Sequence, residues 1–154
     1  MVGSYRVTLK MTDHLTPERR SWNMSRIRNK NTKPELAVRS LLHGMGYRFT
    51  VNGPSNKKLP GRPDIVLPKC HTVVFVHGCY WHRHEGCRLA YRPKTRVEFW
   101  EKKFAENVAR DKRNDVLLKE AGWQVVVVWE CETRKKESFK SLALRLDKVL
   151  HKKA

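Results

Sequence analysis

Acidic residues are scarce in this sequence. Fifteen Asp and Glu stand against thirty-three Lys and Arg in 154 residues, which gives a net charge of +18. The excess is divided equally between residues 1–60 and residues 61–154, so it is a property of the whole chain. Such a field favours a polyanionic partner, nucleic acid first among them. A ribosome-like binder or a merely soluble basic surface has the same charge, so charge alone does not indicate an enzyme.

Long apolar runs are absent as well. The longest, Val73–Val76 and Val125–Trp129, have the length of strands, which excludes a membrane-spanning helix. The N-terminal residues lack an apolar stretch, so we expect no secretory signal peptide and a cytoplasmic protein. The hydrophobic content of 40% is too high for a disordered chain. We therefore expect a flexible basic arm over residues 1–15 and a single domain over residues 16–154.

Helix caps and hydrophobic periodicity divide this domain into helices and strands. Thr32 and Glu35 form a capping-box pattern ahead of apolar residues at helical spacing, and Thr95 and Glu98 repeat it. Short apolar or alternating runs bounded by Gly, Pro and Asn predict strands. The sequence therefore predicts a mixed α/β domain with loops available for a site. The predicted helices begin at Thr16, Thr32, Thr95 and Ser138, and the predicted strands cover residues 47–51, 64–67, 72–77 and 124–129.

Cysteine and histidine gather in the polar stretch after the third predicted strand. Because we expect no export signal, the cysteines should stay in a reducing compartment, and we expect a metal site or free thiols rather than disulfides. Cys79, His84 and Cys87 lie within nine residues, and thiolate sulfur and imidazole nitrogen are the ligands that zinc prefers. Cys131 can supply a fourth ligand if its preceding strand neighbours residues 72–77. The pattern predicts a structural zinc site, with reduced and unliganded thiols as the alternative.

Acidic and histidine side chains form a second candidate set, although each has an ordinary structural explanation. A carboxylate at Asp64 begins an apolar strand, where it can hold Mg²⁺ as in metal-dependent nucleases or simply form a turn. Glu35 is explained by its capping box, and Asp111 lies in a charged stretch typical of solvated surface. His82 can be a general base or a zinc ligand in place of the next histidine, and His77 can be a core residue.

Aromatic residues beside arginines form a third set. Tyr80 and Trp81 lie in the polar stretch, while Phe99 and Trp100 lie near the start of the long predicted helix. Large rings in a basic setting suit base stacking or wedging into an opened duplex step. Trp100 also fits the apolar stripe of its helix, and periodicity alone favours a core position for it.

Several ordered motifs resemble those of the very short patch repair (Vsr) DNA mismatch endonucleases, and they cover residues 16–150. The resemblance implies a restriction-endonuclease-like core with an embedded structural zinc. It also implies Mg²⁺-dependent nicking of one strand, 5′ of the mismatched T in a T:G mismatch left by deamination of 5-methylcytosine. The motifs are Ser25–Arg28, Asn31–Glu35, Leu59–Val66, Phe75–His84, Thr95–Trp100, Gly122–Trp123 and Val128–Cys131.

The same resemblance implies a role for each candidate. Asp64 matches the family's metal-binding aspartate, and His82 matches its catalytic histidine, which activates the attacking water. Glu35 and His77 match supporting active-site residues, and Asp111 matches an acid that orients the catalytic histidine. The zinc ligands match Cys79, His84, Cys87 and Cys131, the aromatic wedge matches Tyr80, Trp81 and Trp100, and the minor-groove residues of the N-terminal helix match Met24 and Ile27.

Three positions depart from the family pattern. Val76 stands where the best-known members carry Thr, which is harmless if the position offers Mg²⁺ only its backbone carbonyl. Two residues rather than one separate His84 from Cys87, and we expect Gly86 to let that loop turn. Tyr80 replaces Phe and retains the ring.

We therefore expect a monomeric, strand-specific mismatch endonuclease that acts on double-stranded DNA in the nucleoid. The resemblance also suggests a functional link to a cytosine-5 DNA methyltransferase and to mismatch-repair proteins. A zinc-stabilised nucleic-acid-binding module without catalysis is one alternative, because it needs only the charge, the aromatics and the Cys/His cluster. A restriction-type nuclease that cuts both strands with the same core is another.

Overall fold

A three-stranded sheet flanked by helices organises the chain. The computed structural model describes residues 15–26 and 30–151. No helix within these ranges is both long enough and apolar enough to cross a membrane. The elements are α1 (Pro17–Ser25), α2 (Lys33–Gly44), α3 (Pro54–Lys58), β1 (Ile65–Leu67), β2 (Thr72–His77), α4 (Val97–Glu120), β3 (Gln124–Trp129) and α5 (Lys136–His151), with a 3-10 turn at Glu130–Thr133.

The sheet is mixed, with β2 at its centre. β1 pairs with β2 in the antiparallel sense, and β3 pairs with β2 in the parallel sense. The parallel register places His77 beside Trp129 at the carboxyl ends of β2 and β3. Segments that follow these two strands therefore emerge at the same edge of the sheet, which is where open α/β sheets hold their ligands. The mixed sheet with flanking helices confirms the predicted fold class.

Apolar side chains are buried on both faces of the sheet. On one face, Val74 and Val128 pack with Leu42 of α2 and with apolar residues of α5, including Leu146. On the other face, a smaller cluster joins β1 and β2 to Leu118 of α4. The three helices are thus fixed to the sheet by apolar burial, which contributes about 1.5–3 kcal/mol for each fully buried aliphatic side chain. This rigid frame carries the loops between the elements.

The strand predicted over residues 47–51 is absent. Its side chains alternate between half-buried and exposed positions, as expected for a strand. Only Thr50 pairs, however, as an isolated bridge to Val66. Neighbouring β1 has three residues between Pro63 and Pro68, and proline lacks the N–H group that would extend the ladder. The loop predicted after this segment also contains the short helix α3, which the sequence analysis missed.

Two of the predicted helix caps are wrong, whereas the first is confirmed. Thr16 Oγ1 accepts the N–H of Arg19 at 3.2 Å, as an N-cap should. Helix α4 instead begins after Arg96, whose left-handed backbone (φ 51°) provides no side-chain cap. Thr95 therefore lies one residue too early to cap this helix. Helix α5 begins two residues before Ser138.

Candidate active-site cleft

A cleft of about 1270 Å³ opens at the carboxyl ends of β2 and β3. Its walls come from the start of α2, the turn before β1, the loop after β2, and the middle of α4. These segments are distant in sequence and are brought together by the sheet and by helix packing. All five residues of the acidic and histidine set line the cleft: Glu35, Asp64, His77, His82 and Asp111.

The Asp64 carboxylate is held in place by β2. Its Oδ2 atom accepts the backbone N–H of Val76 at 2.7 Å. Burial is the main reason that the pKa of Asp64 rises to about 6; the hydrogen bond from Val76 opposes this rise, and the nearby charge of Glu35 adds to it. An ionised carboxylate at this position is therefore costly in the protein alone. A bound cation would offset that cost, and Asp64 fits the oxygen ligand that Mg²⁺ prefers.

Glu35 both caps helix α2 and lines the cleft. Thr32 Oγ1 accepts the Glu35 N–H at 3.4 Å, which confirms Thr32 as the N-cap, and the Thr32 hydroxyl donates to Glu35 Oε1 at 2.9 Å. The reciprocal bond of a capping box, from the Thr32 N–H, is replaced by one from the preceding residue. Glu35 Oε2 accepts the N–H of Asn31 at 2.9 Å and the guanidinium of Arg39 at 3.0 Å. Both carboxylate oxygens are thus occupied by donors. Sequence reasoning missed Arg39, although its position four residues after Glu35 on one helix was a usable signal.

His82 lies between an acid and a second imidazole. Its Nδ1 atom lies 2.5 Å from Asp111 Oδ2, and its ring stacks on that of His77 at 3.9 Å with an 8° angle between the planes. Burial, followed by the charge of His82, lowers the pKa of His77 to about 4. Burial opposes ionisation of Asp111, but the hydrogen bond and charge of His82 outweigh it and lower the pKa of that carboxyl. Asp111 is thus ionised and half-buried rather than a solvated surface residue.

Three cysteines and one histidine gather beside the cleft with zinc-like spacing. His84 Nδ1 lies 3.6 Å from Cys79 Sγ and 3.4 Å from Cys131 Sγ. In a zinc tetrahedron with bonds of about 2.0–2.3 Å, neighbouring nitrogen and sulfur ligands lie about 3.5 Å apart. The ligand atoms of these residues and of Cys87 all lie within 4.8 Å of one another. His84, not His82, is the histidine of this cluster.

The electrostatics of the thiols favour a dication. Burial raises the pKa of Cys79 to about 12 and also raises that of Cys131. Burial acts in the same sense on Cys87, but hydrogen bonds, first that of the Leu89 backbone, outweigh it and lower its pKa. In the protein alone, Cys87 therefore ionises more readily than Cys79 and Cys131, whereas a bound zinc ion would hold all three as thiolates. Gly86 adopts φ 68°, and the Cys87 N–H donates to the His84 carbonyl at 3.3 Å, so the two-residue gap closes as expected.

The three predicted wedge residues form one aromatic cluster at the start of α4. Tyr80 contacts Trp81 at 5.1 Å and Trp100 at 6.3 Å, while Trp81 and Trp100 lie 5.8 Å apart. Phe104 is the buried member of the helical stripe, whereas Val97 is 40% exposed. The stripe is thus not a continuous core face, and Trp100 is only partly buried. Trp81 is the member of this aromatic cluster that lines the cleft.

The two predicted minor-groove residues are not tested. Ile27 lies outside the described residues, and Met24 lies in α1 with its side chain also outside that description. Sequence reasoning also missed Asn107, whose amide donates to the Trp81 carbonyl at 3.2 Å. Its signal was its position four residues before Asp111 on the same helix face.

Comparison with known proteins identifies the family of this chain. A family model described as DNA mismatch endonuclease Vsr matches residues 12–88. DNA mismatch endonuclease Vsr of Escherichia coli (strain K12) is 46% identical over 81% of this chain and 78% of its own length. The chain belongs to the Vsr family. It is therefore a DNA mismatch endonuclease, and the resemblance of its motifs to this family is confirmed.

Other Vsr-like relatives are named nicking enzymes. Type II nicking enzyme V.XorIIP of Xanthomonas oryzae pv. oryzae is 54% identical over 79% of this chain and 87% of its own length. Type II nicking enzyme V.NmeAIP of Neisseria meningitidis serogroup A is 44% identical over 82% of this chain and 87% of its own length. The two alignments cover 122 and 126 residues.

Proposed function

We propose that this Vsr-family endonuclease nicks one strand of double-stranded DNA on the 5′ side of the mismatched T in a T:G pair. The observation that carries the proposal is the convergence of Asp64, His82 and Asp111 in one cleft beside a cluster of half-buried rings. The cleft can hold a phosphodiester while the rings contact the neighbouring base step. A monomer with one such cleft among its described residues acts on one strand, which suits nicking better than double-strand cleavage.

We propose Asp64 as the ligand of a catalytic Mg²⁺. Among the described residues, Asp64 Oδ1 is the carboxylate oxygen of the Glu35–Asp64 pair that has no hydrogen-bond donor. When bound, the ion supplies Lewis-acid polarisation of the scissile phosphate and neutralises its charge. Glu35, paired with Arg39, keeps the surrounding helix start in position. Asp64 itself orients the cation through its fixed hydrogen bond to β2.

We propose His82 as the general base. Asp111 accepts the Nδ1 proton of His82, which leaves Nε2 free to take a proton from water. The half-buried and ionised Asp111 carboxylate stabilises the imidazolium that results. Hydrolysis would then leave a 5′-phosphate and a 3′-hydroxyl. Zinc, in the same proposal, is held by the Cys79 cluster and keeps the loop that bears His82 in shape.

Mismatch preference follows from the aromatic cluster and the charge. A T:G wobble pair stacks more weakly than a matched pair, so wedging a ring beside it costs less. Phosphate contacts from the basic surface add affinity without sequence preference. We also propose that the enzyme acts as a monomer on nucleoid DNA, downstream of a cytosine-5 methyltransferase and together with mismatch-repair proteins.

A pair of labelled duplexes tests the function. One carries a single T:G pair and the other a matched pair in otherwise identical sequence, prepared in several methylated-cytosine contexts. With Mg²⁺ present, we expect a nick on the T strand of the mismatched duplex and none on the matched one. Cutting of both strands would favour the restriction-type alternative. Tight binding without any nick, in every context, would favour the binding module.

Replacement of His82 by alanine tests the general base. We expect the nicking rate to fall by about a hundredfold or more, because general-base catalysis contributes factors of this size. Mismatch binding should remain close to that of the parent protein, because His82 lies beside the wedge rather than within it. Single-turnover nicking and DNA-binding anisotropy measure the two effects. His43→Ala, at an exposed position on α2 outside the cleft, is the matched control and should nick normally; full nicking by His82→Ala would exclude the role.

A further inference from the structure

Four rings form a continuous series of contacts from the Cys79 cluster to the proposed base, His82. Trp129 stacks on His84 with ring centroids 4.2 Å apart and planes 6° apart. The same indole meets His77 edge to face at 5.5 Å and 71°. His77 then stacks on His82 at 3.9 Å. One indole thus contacts both the cluster histidine and the ring that supports His82.

Trp129 is itself firmly attached to the fold. It is the last residue of β3 and lies in register with His77 of β2. Its backbone N–H donates to Glu132 at 2.8 Å, and the Glu132 carboxylate accepts the guanidinium of Arg145 on α5 at 2.8 Å. The backbone that carries the indole is therefore anchored on the sheet and, through Glu132, on a packed helix.

His82, by contrast, lies in an irregular loop and needs outside support. Its hydrogen bond to Asp111 fixes the position of Nδ1, but a single hydrogen bond leaves the ring able to rotate about the Nδ1–Oδ2 direction. A face-to-face contact with His77 restricts that rotation, because tilting would lose contact area or create a clash. The plane of His77 is in turn restricted by the edge contact with Trp129.

We propose that Trp129 is a positioning residue of the endonuclease. Its indole sets the ring plane of His77 and thereby the direction in which Nε2 of His82 points into the cleft. Trp129 acts through these rings and touches no reacting atom. The inference rests on the role proposed above for His82. It also means that one indole contacts both the Cys79 cluster, through His84, and the ring that supports His82.

Three variants test this role: Trp129→Leu, Trp129→Phe and Trp123→Leu. Trp123 is the matched control, because it also stacks on a histidine, His71, at 4.1 Å and 11°, yet lies outside the cleft. We expect Trp129→Leu to lower kcat for nicking about tenfold or more while KM stays within about twofold. Trp129→Phe should restore most of kcat because a ring is retained. Trp123→Leu should leave kcat near that of the parent protein.

A spectroscopic readout separates positioning from stability. In protein labelled with ¹⁵N-histidine, the ring resonances of His77 and His82 should shift in Trp129→Leu and stay in place in Trp123→Leu. Unchanged kcat and unshifted resonances in Trp129→Leu would overturn the proposal. So would loss of zinc from that variant with full recovery of kcat on adding zinc, since the indole would then serve only the metal cluster. If the parent protein fails to nick a T:G duplex, the proposed function is wrong. The comparison of the His77 and His82 resonances would still show whether Trp129 positions these two rings.

Discussion

Asp64→Asn is expected to abolish nicking and, without added Mg²⁺, to stabilise the fold at neutral pH. The first effect follows from loss of the proposed cation ligand, and removal of several kcal/mol of charge stabilisation lowers the rate about a thousandfold or more. The second follows from burial, which makes the ionised Asp64 costly in the folded state. Asparagine is neutral, and its side-chain oxygen can still accept the Val76 N–H.

The stability gain should depend on pH in a defined direction. Folding raises the pKa of Asp64 from 3.8 to about 6, so the folded protein holds this proton more tightly than the unfolded chain. The stabilisation by that proton is complete below about pH 3.8 and is lost as the pH rises through about 6. Relative to the parent protein, Asp64→Asn should therefore gain stability across this window, by up to about 3 kcal/mol.

Denaturant unfolding at pH 4 and pH 8, without added Mg²⁺, measures this gain. The control is Glu120→Gln, because Glu120 is exposed and lies outside the cleft. It should change neither nicking nor the pH dependence of stability. Adding Mg²⁺ should reduce the difference in the free energy of unfolding between the parent protein and Asp64→Asn, since only the parent binds the ion. A variant that is less stable than the parent at pH 8, or one that still nicks, would contradict the account of Asp64.

Cys131→Ser is expected to have the largest effect on stability. The loop after β2 has no regular structure and few buried apolar side chains, and the cluster ties this loop to the end of β3 through Cys131. Loss of a structural metal costs about 4–5 kcal/mol or more, which in a domain of this size lowers Tm by about 10 °C or more. Zinc content should fall from one ion per chain towards none.

Metal analysis and thermal unfolding measure these two effects. Cys70→Ala is the matched control, because Cys70 is a buried free cysteine in the apolar core rather than in the cluster. It should keep one zinc per chain, and a chelator should then destabilise Cys70→Ala and the parent protein but not Cys131→Ser. One zinc per chain together with a parental Tm in Cys131→Ser would refute the structural site.

Residue type and short-range spacing were sufficient to predict much of the fold and of the candidate site. Cys79, His84 and Cys87 could be grouped because soft and borderline ligands rarely collect within nine residues for another reason. The apolar runs of β2 and β3 could be identified as strands because buried parallel strands are nearly continuous in Val. The ordered motifs then indicated the family that the comparisons confirmed.

Other features of the site, such as the surroundings of Asp111 and Trp129, were determined by long-range packing. Asp111 has the sequence surroundings of a solvated residue, and only the position of α4 beside the loop after β2 brings it to His82. Trp129 has the pattern of a strand end, and its contacts with two histidines depend on the parallel register of β2 and β3. Local periodicity tells which face of an element is apolar, but not which distant segment packs against it, because that contact is fixed by the free energy of the whole fold.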